Sequence, residues 1–108
     1  MKGTYLGEFE ELVMLSVGVL HPEGYGVAIK NHIEELTGRK VTLSTVHASL
    51  HRLQNKGFLE SEFGAATKER GGKRKKIFTI TVAGSKALRA SRGWREELWA
   101  TIPDIALS

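Results

Sequence analysis

Residues 42–56 read TLSTVHASLHRLQNK, and the pattern of this stretch decides the fold. Val46, Leu50 and Leu53 recur at the spacing of one helix face, which predicts a helix over residues 43–56. The opposite face of this helix carries only small or polar side chains, namely Ser44, Ala48, His51 and Asn55. We therefore expect a helix that buries a thin apolar stripe and presents a broad polar face to solvent.

The chain before this stretch predicts two more helices. Apolar residues at helical spacing cover residues 8–20, and three glutamates occupy the first turn, where the helix dipole favours negative charge. The sequence HPEG at 21–24 breaks this pattern before a second helical stretch over residues 25–37. Thr42 or Ser44 is a suitable N-cap for the third helix. Because a short turn that contains glycine joins the second and third helices, the pair is similar to a helix-turn-helix.

The chain after the third helix predicts a β-hairpin with a basic loop. Residues 58–63 alternate in polarity, and residues 76–81 are rich in Ile, Phe and Thr, so both segments are typical of strands. The loop between them, over residues 64–76, reads GAATKERGGKRKK. Three helices followed by such a hairpin predict a mainly α fold with a small β-hairpin, which is a winged helix-turn-helix.

Composition narrows the class of protein further. The 108-residue chain is long enough for one domain with a modest core. It has no cysteine, which excludes a disulfide framework, a thiolate metal site and a cysteine nucleophile. No apolar run approaches the ~20 residues that span a bilayer, and the N-terminus lacks the apolar core of a signal peptide. We therefore expect a soluble cytoplasmic protein.

Positive charge is concentrated in the middle of the chain. Residues 38–76 contain ten Lys or Arg and three Glu, a net charge of +7, whereas residues 1–37 carry −4 and residues 77–108 carry +1. Such a segment is typical of a surface that binds a polyanion. It is equally compatible with a solvated surface that only keeps the protein in solution.

The polar face of the third helix suits the major groove of DNA. A groove about 12 Å wide admits a helix, and small outward side chains let the helix backbone approach the base edges. Cations of the hairpin loop would then contact phosphates or the adjacent minor groove. Tyr25, which opens the second helix, either contacts a phosphate from that helix N-terminus or packs half-buried against the third helix. The other predicted DNA-binding residues are Ser44, Thr45, His47, Ala48, His51, Arg52, Lys68, Arg70, Lys73, Arg74, Lys75 and Lys76.

The sequence contains no recognisable catalytic or cofactor-binding constellation. His47 and His51 lie four residues apart, but no neighbouring glutamate or third ligand accompanies them, so we expect no metal site. The pair Gly71-Gly72 lacks the spacing of a phosphate-binding loop. No arrangement of nucleophile, base and orienting acid is present in the sequence pattern. We therefore expect a binding protein without a cofactor rather than an enzyme.

Several short segments, in this order and spacing, resemble the PadR family of bacterial transcriptional regulators. They are YG at 25–26, LSTV at 43–46, LHRL at 50–53, GFLESE at 57–62 and TVAG at 81–84. The resemblance covers roughly residues 5–90 and differs at His47-Ala48, where the family usually has Tyr-Pro. It implies a homodimeric repressor that binds a pseudo-palindromic operator in duplex DNA. The alternative is a winged-helix module that docks on proteins or binds structured RNA without operator binding.

The last helix predicts a surface for a partner. Thr81 is its N-cap, and it ends near Ile102, before Pro103. Its apolar residues span an arc of about 140°, which is wider than one small core needs, with Trp94 and Trp99 at opposite edges. Either at least one Trp lies in a two-fold dimer interface, or both close the core of the monomer.

The resemblance to a small PadR subgroup, whose dimers pair through this helix and the first one, favours the dimer. It implies a winged helix-turn-helix over residues 1–82 and a dimerisation helix over residues 83–108 of the same compact unit. Some dimers of that subgroup hold planar apolar ligands near aromatic residues of this helix, so Trp94 is the candidate contact for a small apolar effector. The predicted interface residues are Phe9, Leu12, Leu88, Ser91, Trp94, Leu98, Trp99 and Ile102.

Overall fold

The computed structural model describes residues 5–66 and 74–108 and shows three helices, an antiparallel hairpin and a long final helix. The mainly α winged helix with one hairpin, expected from the sequence, is confirmed. The elements in chain order are α1 (Glu8–Leu20), α2 (Gly26–Thr37), α3 (Leu43–Asn55), β1 (Leu59–Ala66), β2 (Arg74–Ile80), α4 (Val82–Thr101) and a short 3₁₀ helix (Asp104–Leu107).

The core lies where α1, α2 and α3 meet the base of the hairpin. The predicted stripe of α3 is buried as expected, and Ser49 beside it is buried as well. Removing these apolar side chains from water is the main contribution to stability, and it fixes the orientation of α3 relative to α1 and α2. The apolar core residues, each at most 6% exposed, are Val13, Met14, Val17, Ile29, Ile33, Val46, Leu50, Leu53, Phe58, Leu59 and Phe78.

Local signals set the turns on either side of α3. Gly38 follows α2 with φ 72°, and Gly57 follows α3 with φ 81°, a left-handed conformation that residues with a Cβ disfavour. The Thr42 hydroxyl accepts a hydrogen bond from the Thr45 amide at 3.1 Å. Of the two N-caps that the sequence allows, the structure therefore uses Thr42, and Ser44 lies inside the helix.

The hairpin is longer than the sequence predicts. Leu59 pairs with Ile80 at its base, and the pairing continues until Ala66 faces Arg74. The predicted loop over residues 64–76 is therefore too long, because residues 64–66 belong to β1 and residues 74–76 to β2, and only Lys76 of these was also predicted as strand.

Arg74 explains part of this extension. The register shifts after Phe63, and the Arg74 side chain donates hydrogen bonds to the carbonyl oxygens of Phe63 and Gly64, at 3.3 and 2.9 Å. The Arg74 guanidinium also lies 5.6 Å from the centre of the Phe63 ring. Glycine and lysine have low strand propensity, so the sequence pattern alone did not indicate strand in this segment.

Helix α4 is buried against the rest of the molecule along its first half only. Gly84 is buried against Phe58, so close that a Cβ on Gly84 would overlap the Phe58 carbonyl oxygen. Ser91 is the last buried residue of the helix, and residues 92–101 are all exposed. Because this half projects, the Cα radius of gyration is 15.9 Å rather than the roughly 13 Å of a compact chain of this length.

Both tryptophans are exposed in the single chain, Trp94 by 53% and Trp99 by 66%. The alternative in which both close the core of the monomer is therefore wrong, because the first half of α4 already covers that core. Of the other predicted interface residues, Leu98 is exposed, whereas Ser91 is buried within its own chain. The remaining ones are half-buried, namely Phe9, Leu12, Leu88 and Ile102.

Candidate nucleic-acid interface

The polar face of α3 is open to solvent. All six predicted α3 contacts are exposed, namely Ser44, Thr45, His47, Ala48, His51 and Arg52. At the start of the helix, the hydroxyls of Ser44 and Thr45 lie 3.1 and 2.8 Å from the Thr42 hydroxyl. These side chains can donate and accept hydrogen bonds, and Ala48 leaves the middle of the face low enough for a base edge to approach.

His47 lies against the start of α2. A Cβ on Gly26 would come within 2.9 Å of His47 Cε1 and Nε2, so the missing side chain of Gly26 makes room for the imidazole ring. This contact gives the YG pair at 25–26 a structural role that the sequence pattern did not reveal. It also limits the positions that the His47 ring can take.

Tyr25 is half-buried at the N-cap of α2 and lies beside the hairpin. Its backbone forms an isolated antiparallel bridge with Ile77, and the Lys75 ammonium lies 4.3 Å from the centre of its ring. The ring therefore contacts β2, whereas one sequence-based alternative placed it against α3.

The basic residues of the hairpin differ in their contacts. Arg74 binds carbonyl oxygens of β1, and Lys75 covers the Tyr25 ring. Lys76 is exposed, with its ammonium 5.7 Å from the centre of the Phe78 ring. The predicted contacts Lys68, Arg70 and Lys73 lie outside the described residues.

A cleft joins α3 to β2. Its volume is about 240 Å³, and Gln54 at its rim donates a hydrogen bond of 3.1 Å to the Ser61 hydroxyl of β1. The cleft brings His51 and Lys76 together, so the polar face of α3 and the cationic strand form one continuous surface. Gln54, in the last turn of α3, and Phe78, in β2, were not among the predicted residues, because only the folded hairpin brings its strands beside α3. The lining residues are His47, Leu50, His51, Gln54, Lys76 and Phe78.

Arg52 differs from the other predicted α3 contacts because it is held by two groups of its own chain. Its Nε lies 3.4 Å from Glu10 Oε2, and its Nη2 donates to the Ser49 hydroxyl at 3.1 Å. The Arg52 side chain is nevertheless 55% exposed. The sequence pattern indicated only a first-turn role for Glu10, since nothing in it shows that α1 and α3 pack together there.

Glu10 is buried, and it also accepts hydrogen bonds from the Gly7 amide at 2.9 Å and from the Lys56 ammonium at 3.0 and 3.1 Å. Burial by itself raises the pKa of Glu10. The hydrogen bonds from Gly7 and Lys56, the Lys56 charge and the Arg52 hydrogen bond outweigh burial and hold the pKa below its usual value. The ionised carboxylate therefore ties α1 to the end of α3.

Two grooves lie along α4. The first has a volume of about 500 Å³, is largely apolar, and contains the Tyr5 and Trp94 rings, whose centres are 5.8 Å apart. The second, of about 490 Å³, runs between α1 and α4 and is lined by Leu15, Leu88 and Trp99 together with several charged residues. Leu15 is 49% exposed and was not predicted at an interface, because the helical pattern of α1 assigned it to the apolar face.

Within residues 5–66 and 74–108, no three His, Cys, Asp or Glu side chains are grouped so that they could hold a metal ion. In the same part of the chain, no helix combines the length and the apolar character needed to cross a membrane.

Solved structures with this fold include regulators of the PadR type. A PadR-like transcription factor from Bacteroides fragilis is 28% identical, with a TM-score of 0.71, over 86% of this chain and 84% of that chain. A PadR family transcriptional regulator from Eggerthella lenta is 26% identical, with a TM-score of 0.67, over 86% of this chain and 80% of that chain. Bacillus subtilis PadR, solved in complex with operator DNA, has a similar fold at 20% identity, with a TM-score of 0.62, over 90% of this chain and 51% of that chain.

No curated protein matches the chain by sequence. Residues 15–90, by contrast, match the family described as the Transcriptional regulator PadR-like family. Because this match covers more than half of the chain, the protein belongs to the PadR-like family of transcriptional regulators.

Proposed function

We propose that this protein is a transcriptional repressor that binds a pseudo-palindromic operator in duplex DNA as a homodimer. The observation that carries the proposal is the continuity of the exposed polar face of α3 with the cationic strand β2, which meet where His51 and Lys76 line one cleft. Membership of the PadR-like family supports it, as does the operator complex of the similarly folded Bacillus subtilis PadR.

In this proposal α3 enters the major groove and the hairpin contacts the backbone. Ser44, Thr45 and His51 supply hydrogen-bond donors and acceptors for base edges. Lys75 and Lys76 approach phosphates and add affinity that depends little on sequence. The basic residues outside the described part of the chain, Lys68, Arg70 and Lys73, would extend this contact along the backbone.

The proposed dimer forms through α4 and α1. Leu98 and Trp99 of α4 and Leu15 of α1 expose large apolar groups, and each buried Trp removes ~150–250 Å² from water. A two-fold axis would let the same surface of two protomers cover itself. It would also place the two α3 helices about one DNA turn, roughly 34 Å, apart, which is why the proposed operator is pseudo-palindromic.

We further propose that the groove of Tyr5 and Trp94 takes a small planar apolar effector. Its lining is mostly apolar, and two aromatic rings offer faces for stacking. Pyrene, a planar apolar fluorophore, serves as the probe in fluorescence titrations. Trp94→Phe should weaken its binding, and Trp99→Phe should leave it unchanged. Equal affinity in both variants argues against this effector site.

Selection of bound sites from random duplex DNA tests the main proposal, followed by binding assays on the selected site at several salt concentrations. We expect a two-fold symmetric consensus. If a dimer neutralises ~6–10 phosphates, affinity should fall by ~10³–10⁵ between 50 and 200 mM salt. Structured RNA and duplex DNA of unrelated sequence are the competitors. The proposal is wrong if the protein selects no duplex sequence. It is also wrong if structured RNA competes for the protein as effectively as unlabelled operator DNA does.

A further inference from the structure

The environment of Arg52 suggests a role for the buried carboxylate beside it. Of the carboxylates in residues 5–66 and 74–108, only that of Glu10 is buried, and two of its donors, Arg52 and Lys56, come from the last turn of α3 and its cap. A buried carboxylate that holds cations of another helix fixes the position of those cations more firmly than an exposed pair does.

The contacts of Arg52 use one edge of its guanidinium. Nε faces Glu10 and Nη2 donates to Ser49, which is fully buried. Within the described part of the chain, no hydrogen bond involves Nη1. The end of the guanidinium that carries Nη1 therefore keeps donors for a partner outside the protein, while the other edge is held in place.

We propose that Glu10, with Ser49, is a positioning residue that fixes Arg52 for a base contact in the major groove, with guanine O6 and N7 as the acceptors. This inference rests on the proposed function. A guanidinium whose charge is offset by a carboxylate attracts distant phosphates less, but its N–H groups keep their direction. A guanidinium that is already held in one orientation also loses less side-chain entropy when it binds. It is therefore suited to donate two hydrogen bonds to O6 and N7 on the edge of guanine.

The position of Arg52 agrees with this role. It follows His51 and lies one turn beyond Ala48, at the edge of the exposed face of α3. A contact there would read a base toward the end of each half-site, beyond the bases that Ser44 and Thr45 reach. The operator would then contain a guanine at that position.

The test compares Glu10→Gln, Ser49→Ala and Arg52→Ala in the full-length protein. Arg52→Ala should reduce discrimination about 5- to 150-fold at one base pair of each half-site, the range of a good bidentate contact. Glu10→Gln and Ser49→Ala should weaken the preference at the same base pair in part while still binding the selected site. Glu8→Gln is the matched control, because it changes the same charge on α1 but pairs with Arg39 at 2.8 Å and does not contact α3.

A second measurement needs no DNA and separates positioning from folding. The ¹⁵Nε–H resonance of Arg52 should exchange slowly with water in the free wild-type protein and in Glu8→Gln, and faster in Glu10→Gln. The inference is overturned if Glu10→Gln and Ser49→Ala both discriminate between bases as strongly as the wild type. It is also overturned if Arg52→Ala weakens binding to all DNA sequences alike. The latter result would assign Arg52 to a phosphate and leave the repressor proposal intact. If the wild-type protein selects no duplex site, both the repressor proposal and the proposal for Glu10 are wrong.

Discussion

The Ser91 hydroxyl of α4 donates a hydrogen bond of 2.8 Å to Oε2 of Glu11 in α1. The other oxygen of the same carboxylate binds Arg95, one turn further along α4, also at 2.8 Å. Glu11 therefore joins the two helices at the point where α4 leaves the rest of the molecule. Up to Ser91 the helix packs on Phe58 and α1, and residues 92–101 beyond it are exposed.

Gly84 sets how closely α4 approaches the hairpin. We expect Gly84→Ala to destabilise the protein by about 1–3 kcal/mol, because the added Cβ would overlap the carbonyl oxygen of Phe58 and force the helix away. The measurement is the free energy of unfolding in urea. Gly93→Ala is the matched control in the same helix: a Cβ there meets nothing within 4 Å, so this variant should gain up to about 1 kcal/mol. Similar stability in both variants would contradict the packing described for Gly84.

Leu15 tests the proposed dimer interface. A charge placed in the groove that Leu15 and Trp99 line would have to be buried between protomers, so Leu15→Glu should shift the protein toward monomer and weaken operator binding. Sedimentation equilibrium gives the dissociation constant of the dimer. Leu36→Glu is the control, since Leu36 is 68% exposed on α2, away from this groove. An unchanged dissociation constant of the dimer in Leu15→Glu would mean that the interface lies elsewhere.

The lowered pKa of Glu10 predicts a pH dependence of stability. The ionised Glu10 carboxylate binds Gly7, Lys56 and Arg52 only in the folded state, so it stabilises the folded protein. This stabilisation is complete above the usual pKa of 4.5, and it is lost as the pH falls through the lower pKa that Glu10 has in the folded protein. Glu10→Gln should therefore be less stable than wild type near pH 7, by about 1–3 kcal/mol. The difference between the two proteins should shrink as pH falls below 4.5.

Urea unfolding of both proteins between pH 3 and 7 measures this difference. Glu34, whose pKa is lowered chiefly by the hydrogen bond from Lys30, adds a pH dependence of its own that is common to both proteins and cancels in the comparison. A difference that stays constant over this range would mean that the Glu10 carboxylate is not the group that titrates.

Lys76 tests the contact between the hairpin and the DNA backbone. Lys76→Ala should weaken binding to specific and nonspecific duplexes alike. It should also reduce the slope of log K against log salt concentration by roughly 0.9 for each phosphate that the variant no longer neutralises, or about 1.8 in a dimer. Lys86→Ala removes the same charge from α4, beside the Trp94 groove, and should leave the slope unchanged. If both variants reduce the slope equally, the effect reflects net charge and not a contact by β2.

Much of the molecule follows from local patterns in the sequence. The spacing of Val46, Leu50 and Leu53 marks the buried side of α3, because a helix places residues three and four apart on one face. The alternating and β-branched segments indicate the hairpin, although not its full length. The concentration of cations in residues 38–76 is compatible with a surface for a polyanion and equally with a solvated surface.

The tertiary structure alone decides which charges are available on that surface. Arg52 and Lys76 are both basic residues in sequence, but α1 brings the Glu10 carboxylate to Arg52, whereas Lys76 lines the cleft between α3 and β2. The same holds for α4: its sequence allowed either a partner surface or closure of the monomer core by both tryptophans, and its projection beyond Ser91 leaves Trp94 and Trp99 exposed in the single chain. The physical reason is that helix and strand patterns depend on neighbours along the chain, whereas ion pairs and burial depend on residues that only folding brings together.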